Sequence, residues 1–449
     1  MDSRLTAAAA VPQRRLATLR FALPMKFRSL VLVVATIALF NATPGFWSAG
    51  AAPAGNRFQL PASDDGLPGT GPIRRYDWFQ KLWSERRTGW AARVKQDQGA
   101  LVFLGDSITQ GWTELGSMYP GVKTANRGIS GDTTRGVLIR LQEDVIALNP
   151  TGVVLLIGTN DLEEQAAPET SAANLKLILA ALKQHNPKMP VVLCYVFPSS
   201  ATKKRPAAEI RKINALYYAA IKDEPQVTGL DTYSLFADAQ GDARPEEFPD
   251  LLHPNRSGYC KWDAALRPML ETVGLLSVWP DEFTPEPGFV SLFNGRDLTG
   301  WGYPDGPAFD GLAASPDSRF IAKNGRLVVT VSRTERSAKK LMTTQTFPKD
   351  FVFKLEFRAS PNADSGIFIR LPQLQCRDYP IAGPFVNVKN YRPLDWNEVV
   401  VTVKGGLAHC TCNGEVLIDA MPVPATGPVG VESDRGQMEY RRIRLKETR

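Results

Sequence analysis

A serine that directly follows an apolar stretch is the first residue whose position suggests chemistry. Residues 105–112 read GDSITQGW and follow a predicted strand at residues 100–104. A serine in this place lies at the carboxyl edge of a parallel sheet, where open α/β folds bind their ligands. Ser107 is therefore a candidate nucleophile, although a serine that caps a helix is the common alternative.

A serine hydroxyl is a weak nucleophile and needs a neighbouring base. The chain has three histidines, of which His185 lies near a predicted helix end and His409 in the β-rich half. His253 lies in the segment DLLHPN before a predicted helix, and Asp250 is three residues away. Because a carboxylate must hold the imidazole in the correct tautomer, these positions predict a Ser-His-Asp triad.

Donors for a negatively charged oxygen also follow predicted strands. Residues 126–132 read NRGISGD, and residues 158–161 read GTND after a predicted strand at residues 152–157. Acyl transfer passes through a tetrahedral intermediate whose oxyanion needs such donors. The candidates are the backbone N–H groups of Ser107 and Gly131 and the side-chain amide of Asn160.

The segments GDSITQGW, NRGISGDTT, GTND and DLLHPN, in this order, resemble the four sequence blocks of the SGNH (GDSL) hydrolase superfamily. The resemblance covers about residues 95–272 and is closest to the platelet-activating-factor acetylhydrolase-like branch. One block alone is a weak signal, but four ordered blocks are a strong one. The resemblance implies a nucleophile, a base, a residue that orients the base, and two oxyanion-hole residues: Ser107, His253, Asp250, Gly131 and Asn160.

Apolar strand-like runs alternate with amphipathic helical runs in the segment that carries these blocks. Predicted strands at residues 100–104, 152–157, 191–196 and 227–230 are continuously apolar, which indicates a parallel sheet buried on both faces. The alternation predicts an α/β domain at residues 75–276 with right-handed crossovers. The resemblance implies a flavodoxin-like, three-layer α/β/α architecture.

The periodicity changes after a proline-rich linker at residues 277–287. Residues 351–358 alternate between apolar and polar side chains, and Gly405-Gly406 lies between two further strand-like runs. Residues 288–449 are therefore predicted to form an all-β sandwich.

Segments of this second half, GFVSLFNGRDL, DSGIFIR and PLDWN, resemble the 3-keto-disaccharide hydrolase domain family, whose fold is a concanavalin-like β-sandwich. The resemblance covers about residues 286–447 and implies carbohydrate contact, with glycoside cleavage in some members. Candidate sugar-stacking side chains are Trp301, Tyr303 and Trp396, for which core packing is the alternative.

Two observations argue against glycoside cleavage by this half. Residues 371–379 depart from the polar strand expected to face a sugar. Glycoside hydrolysis ordinarily needs a positioned pair of carboxylates, and the candidates Glu356 and Asp364 are more readily interpreted as surface charge on strands.

The net charge of +7 belongs mostly to the first 54 residues, which carry six basic side chains and one acidic one. The remaining chain has 47 basic and 45 acidic residues, which argues against a nucleic-acid partner. Residues 1–54 are predicted to be a signal peptide that starts at Met25, followed by a linker at residues 55–74. We therefore expect a periplasmic or secreted protein, with an uncleaved membrane anchor as the alternative.

The five cysteines form neither a disulfide framework nor a CxxC pair, so no metal site is predicted, and the chemistry requires no cofactor. The sequence thus predicts an exported serine esterase that hydrolyses small acyl esters, such as O-acetyl groups on a carbohydrate, while the sandwich binds sugar. The alternatives are glycoside hydrolysis by the C-terminal domain, a lysophospholipase-like lipid esterase, and a non-catalytic polysaccharide-binding protein.

Overall fold

The computed structural model describes residues 58–330 and 337–448. The predicted signal peptide, residues 1–54, lies outside the described residues. Within the described part of the chain, no helix has both the length and the apolar character needed to cross a membrane.

The first domain is built on a parallel five-stranded sheet with the order β2-β1-β3-β4-β5. Its strands are β1 (Leu101–Gly105), β2 (Thr124–Gly128), β3 (Gly152–Leu156), β4 (Val191–Cys194) and β5 (Val227–Leu230). The four apolar runs in the sequence are confirmed as strands, because β1, β3, β4 and β5 correspond to them. The edge strand β2 was not predicted, since its sequence TANRG contains no apolar run.

Helices cover both faces of this sheet and confirm the three-layer α/β/α architecture. They are α1 (Asp77–Ala91), α2 (Ser107–Gln110), α3 (Leu115–Met118), α4 (Thr134–Asp144), α5 (Thr159–Glu163), α6 (Pro168–His185), α7 (Ala207–Ile221), α8 (Thr232–Phe236) and α9 (Arg256–Thr272). One face packs against α4, α6 and α7, and the other packs mainly against α8 and α9. Each long helix buries one apolar stripe, as amphipathic helices in such layers do.

The segment before α1 packs on this domain, although the sequence suggests a linker there. Thr70 N–H donates to the Asn174 carbonyl of α6, and the Asn174 amide donates back to Thr70 O at 2.8 Å. The Arg135 guanidinium of α4 donates to Gly71 O at 2.9 Å. These contacts tie residues 58–74 to α4 and α6, so they form part of the domain.

The second domain is a sandwich of two antiparallel sheets, as the sequence predicts. One sheet has the order β17-β16-β15-β12-β19-β10-β9, with β6 paired to β19, and the other has the order β14-β13-β18-β11-β7-β8. The elements are β6 (Val290–Ser291), β7 (Leu298–Gly302), β8 (Ala308–Phe309), β9 (Phe320–Lys323), β10 (Arg326–Val329), β11 (Lys339–Thr343), β12 (Phe351–Ala359), β13 (Asp364–Ile369), β14 (Gln373–Arg377), α10 (Tyr379–Ala382), β15 (Asn397–Lys404), β16 (Leu407–Cys412), β17 (Glu415–Pro422), β18 (Val429–Ser433) and β19 (Met438–Glu447).

The alternating pattern of β12 places its apolar side chains in a single core between the two sheets. The predicted hairpin at Gly405-Gly406 joins β15 to β16, where Lys404 pairs with Leu407. Cys376, Cys410 and Cys412 are buried in the same core. Cys194, the last residue of β4, is buried on the face of the first domain's sheet that packs against α8 and α9.

Helix α9 packs against the outer face of the sandwich's larger sheet. Glu271 of α9 accepts from Arg326 at 2.8 Å and lies 3.5 Å from Arg358, which also pairs with Glu439 at 2.5 Å. Buried ion pairs of this kind tolerate little displacement, because an unpaired buried charge is costly. The predicted linker is also anchored: Arg444 holds Glu286 at 2.6 Å and lowers its pKa to about 2.

Candidate active site

Ser107 is the first residue of α2, directly after β1, at the carboxyl edge of the sheet. Asp106 caps this short helix by accepting from Ile108 N–H at 3.0 Å. The preceding Gly105 is needed for close packing: a Cβ there would lie 2.3 Å from both Leu156 O and Thr109 Oγ1. Crowding by neighbouring atoms therefore explains this glycine better than a sharp turn of the backbone does.

The three residues of the predicted triad lie within hydrogen-bond distance of one another. His253 Nε2 is 2.9 Å from Ser107 Oγ, and His253 Nδ1 is 2.7 Å from Asp250 Oδ2. The side chains of His253 and Asp250 are 43% and 47% exposed, so the site opens to solvent. This arrangement matches the geometry that a nucleophile, a base and an orienting carboxylate require.

The loop that carries Asp250 and His253 is held by its own carboxylate. Asp250 Oδ1 accepts from His253 N–H at 2.8 Å and from Leu252 N–H at 3.1 Å. Burial raises the pKa of Asp250, but the hydrogen bonds from His253 outweigh it and bring the pKa below its ordinary value. Leu251 has a φ of 61°, a left-handed conformation that is unfavourable for a residue with a Cβ.

The loop after β2 lies directly against the nucleophile turn. Ile129 N–H donates to Gly105 O at 3.1 Å, and Ser130 N–H donates to Gln110 Oε1 at 2.7 Å. Gly131 follows with a φ of 85°, a conformation in which glycine is strongly favoured. The structure thus brings Gly131 beside the turn that presents Ser107.

Asn160 lies at the start of α5, after β3, and is buried. Its Nδ2 donates to Asp132 O at 2.9 Å, and its Oδ1 accepts from the Arg205 guanidinium at 2.9 Å. An amide carries two N–H donors, so one donor remains beyond the bond to Asp132. Because a guanidinium only donates, the contact with Arg205 requires the amide oxygen Oδ1 to face Arg205 and the amide nitrogen Nδ2 to face Asp132 O.

Arg205 is a site residue that the sequence analysis missed. It is 2% exposed and donates to Thr159 O at 3.0 Å, to Asn160 and to Glu163 Oε2 at 2.7 Å. It lies in the segment between β4 and α7, outside the four blocks. No motif marks it, and only the reach of a long side chain brings it to the site.

Three buried aspartates surround the catalytic edge. Burial raises the pKa of Asp106 to about 6, that of Asp132 to about 7 and that of Asp161 to about 6. Asp132 pairs with Arg140 at 2.8 Å, and Asp161 accepts from Thr134 N–H at 3.0 Å. These acids bond to helix starts and connect elements, and they are separate from the hydrogen bonds of the triad.

The three aromatic residues predicted to stack on sugar are not grouped on one surface. Trp301 is 1% exposed in the sandwich core and donates its indole N–H to Leu292 O at 2.7 Å. The sugar-stacking prediction for Trp301 is wrong, because β7 points this side chain inward. Tyr303 is half-buried against Phe309, and Trp396 is covered by the guanidinium of Arg441 at 4.0 Å.

A strand with a polar face is present within residues 371–379, where the sequence was interpreted as departing from one. In β14, Gln373, Gln375 and Arg377 point outward, while the intervening Leu374 and Cys376 are buried. Residues 373–377 therefore alternate, with Leu374 and Cys376 in the core, whereas Leu371 is exposed. Beside this strand, Asp364 lies 2.5 Å from the Arg377 guanidinium, whereas Glu356 is taken up by ion pairs on the other sheet.

Comparisons with known proteins agree with both halves. Residues 103–260 match the GDSL-like lipase/acylhydrolase family, and residues 288–446 match the 3-keto-alpha-glucoside-1,2-lyase-like domain. The chain is similar to the human platelet-activating factor acetylhydrolase IB subunit alpha2, with 26% identity over 44% of this chain and 87% of that protein. It is also similar to an acetylxylan esterase of Geobacillus stearothermophilus, with 36% identity over 14% of this chain and 41% of that protein.

A solved GDSL-like lipase from Bacteroides thetaiotaomicron is 28% identical, covers 43% of this chain and 97% of its own, and has a TM-score of 0.37. The GDSL-like family match, the four ordered blocks and the assembled triad all lie in the first domain. The chain therefore contains a GDSL-like lipase/acylhydrolase domain, which acts on ester bonds, and a 3-keto-disaccharide hydrolase-like domain follows it.

Proposed function

We propose that the protein is an exported serine esterase that removes small acyl groups, above all acetyl, from a carbohydrate. The observation that carries this proposal is the continuous contact from Asp250 through His253 to Ser107, at 2.7 and 2.9 Å. It lies at the same sheet edge as Gly131 and Asn160. An acyl-transfer enzyme needs this combination of a relay and oxyanion donors.

In this proposal Ser107 Oγ attacks the acyl carbon while His253 Nε2 takes the hydroxyl proton. The N–H groups of Ser107 and Gly131 and the free N–H of the Asn160 amide donate to the oxyanion. The C–O bond of the ester then breaks, and His253 gives its proton to the departing alcohol. Water, activated by the same histidine, attacks the acyl-serine and releases the acid.

The acetyl preference is supported by the relatives, since a platelet-activating factor acetylhydrolase and an acetylxylan esterase both act, by name, on acetyl esters. A carbohydrate alcohol is supported by the acetylxylan esterase and by the second domain's family. Export is supported by the order of charged, apolar and small residues in residues 25–51. The reaction as written uses protein groups and water, without a metal or an organic cofactor.

A second candidate function belongs to the sandwich, which is glycoside cleavage or carbohydrate binding. The outward polar face of β14, with Gln373, Gln375 and Arg377, is the feature that favours it. Asp364 and Glu432 flank this face, and burial raises the pKa of both carboxyl groups. A raised pKa favours the protonated form that an acid in sugar chemistry needs.

The first experiment compares hydrolysis of p-nitrophenyl acetate by the chain from residue 55 onward and by its Ser107→Ala variant. We expect turnover that falls by about 10⁴-fold or more in the variant. Correctly folded protein without turnover would contradict the esterase proposal. Equal sugar release by both proteins from a 3-keto-disaccharide would favour the sandwich, and preference for lysophospholipid over acetylated sugar would favour the lipid alternative.

A further inference from the structure

Two aromatic side chains at the start of α1 are exposed, although the rest of that helix buries its aromatic residues. Phe79, Trp83 and Trp90 are buried against the domain. Tyr76 and Trp78 are 53% and 51% exposed, with ring centroids 6.3 Å apart and planes only 10° from parallel. Neighbouring exposed aromatic surface of this kind is a common sign of a binding site.

This aromatic pair adjoins the candidate oxyanion loop. A Cβ built on Gly131 would lie 2.7 Å from Trp78 Cη2, so the indole edge packs directly over the backbone of Gly131. The same loop is bonded to the turn that presents Ser107 through Ile129 and Gly105. The aromatic pair is therefore part of the rim of the ester-cleaving site.

The other groups on this part of the rim are charged. Arg74 lies beside Gly131, with its Nη1 atom 3.0 Å from the same built Cβ, and its guanidinium pairs with Glu163 and Glu164. The side chains of both glutamates are partly exposed, at 34% and 21%. A bound alkyl chain would strip water from these charges at a cost, whereas hydroxyl groups would replace that water with hydrogen bonds.

The face of an aromatic ring carries negative charge and attracts the weakly positive C–H groups of a sugar ring. The same sugar directs its hydroxyls sideways, where the carboxylates of Glu163 and Glu164 can accept from them. A sugar ring, with C–H groups on its face and hydroxyls at its edge, thus fits both the aromatic surface and its charged border better than an acyl tail does. The small acyl group would remain in the space next to Ser107.

We propose that Tyr76 and Trp78 form an aromatic subsite that binds a pyranose ring of the acylated substrate beside the catalytic serine. The inference rests on the proposed function and names the part of the molecule that recognises the alcohol. It places sugar recognition on the hydrolase domain itself, in a segment that precedes the four sequence blocks. The subsite is separate from the polar face of the sandwich.

The test measures kcat/KM for Trp78→Ala, Trp78→Phe and Tyr76→Ala on acetylated xylo-oligosaccharides and on p-nitrophenyl acetate. Trp279→Ala is the matched control, because Trp279 is 95% exposed in the segment between the domains. We expect the two alanine variants to lose about tenfold more on the acetylated sugar than on p-nitrophenyl acetate, mainly through KM. Trp78→Phe should recover much of this difference, and the control should match the wild type on both esters.

Equal losses on the two esters would overturn the inference, because they would show that Trp78 and Tyr76 only support the loop at Gly131. A larger loss on p-nitrophenyl octanoate than on the sugar would overturn it in favour of an acyl-chain site. Absence of turnover on every ester would instead contradict the proposed function. Calorimetry of the Ser107→Ala protein with acetylated xylotetraose then decides separately, with binding at least fivefold weaker expected when Trp78→Ala is added.

Discussion

Two histidine–aspartate pairs occur within residues 58–330 and 337–448, and one of them lies at the candidate active site. His253 Nδ1 lies 2.7 Å from Asp250, and His409 Nδ1 lies 2.9 Å from Asp419. The two imidazoles are also equally accessible, with side chains 43% and 42% exposed. Neither the residue types, nor the distance, nor the exposure of the imidazole distinguishes the pairs, although the carboxylate of Asp419 is 89% exposed and that of Asp250 47%.

The elements that carry them make the difference. The first pair is on a loop at the carboxyl edge of a parallel sheet, where every strand end points to the same place and Ser107 lies 2.9 Å from Nε2. The second pair lies across β16 and β17, near the edge of an antiparallel sheet whose polar side chains face solvent. A parallel sheet gathers distant polar residues at one edge, while an antiparallel face disperses them.

The largest difference between the two pairs is expected when the carboxylate of each pair is neutralised in turn. Asp250→Asn should lower kcat for p-nitrophenyl acetate by about 10³- to 10⁴-fold, because the amide favours the wrong imidazole tautomer. The matched Asp419→Asn variant, in which His409 keeps a polar partner, should retain wild-type kcat. A large loss of kcat in both variants would contradict the assignment of catalysis to the first pair alone. Retained activity in Asp250→Asn would show that Asp250 does not orient His253.

A smaller effect is expected from the donors beside the first pair. Asn160→Ala should lower kcat by about 10²- to 10³-fold, since one oxyanion donor is removed. Arg205→Gln should cost less, because its guanidinium acts through the orientation of the Asn160 amide. The double variant should then be no slower than Asn160→Ala alone, as expected for coupled residues.

Additive losses in that double variant would show that Arg205 acts independently of Asn160. The free energy of unfolding of each variant, measured with urea, separates a damaged fold from a misplaced amide. Lys212→Gln, which removes an exposed ion-paired cation from the neighbouring α7, serves as the charge control.

The smallest predicted effect concerns stability rather than rate. Burial raises the pKa of Asp106 to about 6, so the unfolded chain releases this proton at lower pH than the folded protein. Folding therefore becomes less favourable as the pH rises from about 4 to 6, and the cost is complete above that range. Asp106→Asn, which keeps the bond to Ile108 N–H, should raise the free energy of unfolding at pH 8 by about 1–3 kcal/mol.

This gain should shrink as the pH falls and disappear near pH 4, where the carboxyl is protonated in both states. Asp419→Asn again serves as the matched variant, since the Asp419 carboxylate is 89% exposed and its replacement relieves no cost of burial. A pH-independent effect of Asp106→Asn would show that packing, and not the buried charge, determines the result.

Much of the first domain could be predicted because its signals are local. Four apolar runs define the central strands, and the polar residues that follow them are short motifs with fixed spacing. Strand β2 could not be predicted in this way, because Asn126 and Arg127 interrupt it at the sheet edge. Arg205, Tyr76 and Trp78 were missed because tertiary packing, and no motif, brings them to the site.

The sandwich was predictable in class but not in its exposed faces. The alternation of β12 is clear over nine residues, whereas β7 has only five residues and two of them are glycine. A short strand with two glycines leaves open which side Trp301 faces. In β14 the buried Leu374 and Cys376 alternate with polar residues, and the sequence was interpreted as lacking a polar strand because of these two side chains.

The anchored segment between the domains has a mechanical consequence. Glu286 and Asp281 form ion pairs with arginines of β19, and Glu271 of α9 forms an ion pair with Arg326 of the sandwich. Because of these contacts, residues 277–287 do not act as a flexible tether between the domains. Motion of the sandwich relative to the first domain would have to break the buried ion pair between Glu271 and Arg326, which would leave buried charges without partners.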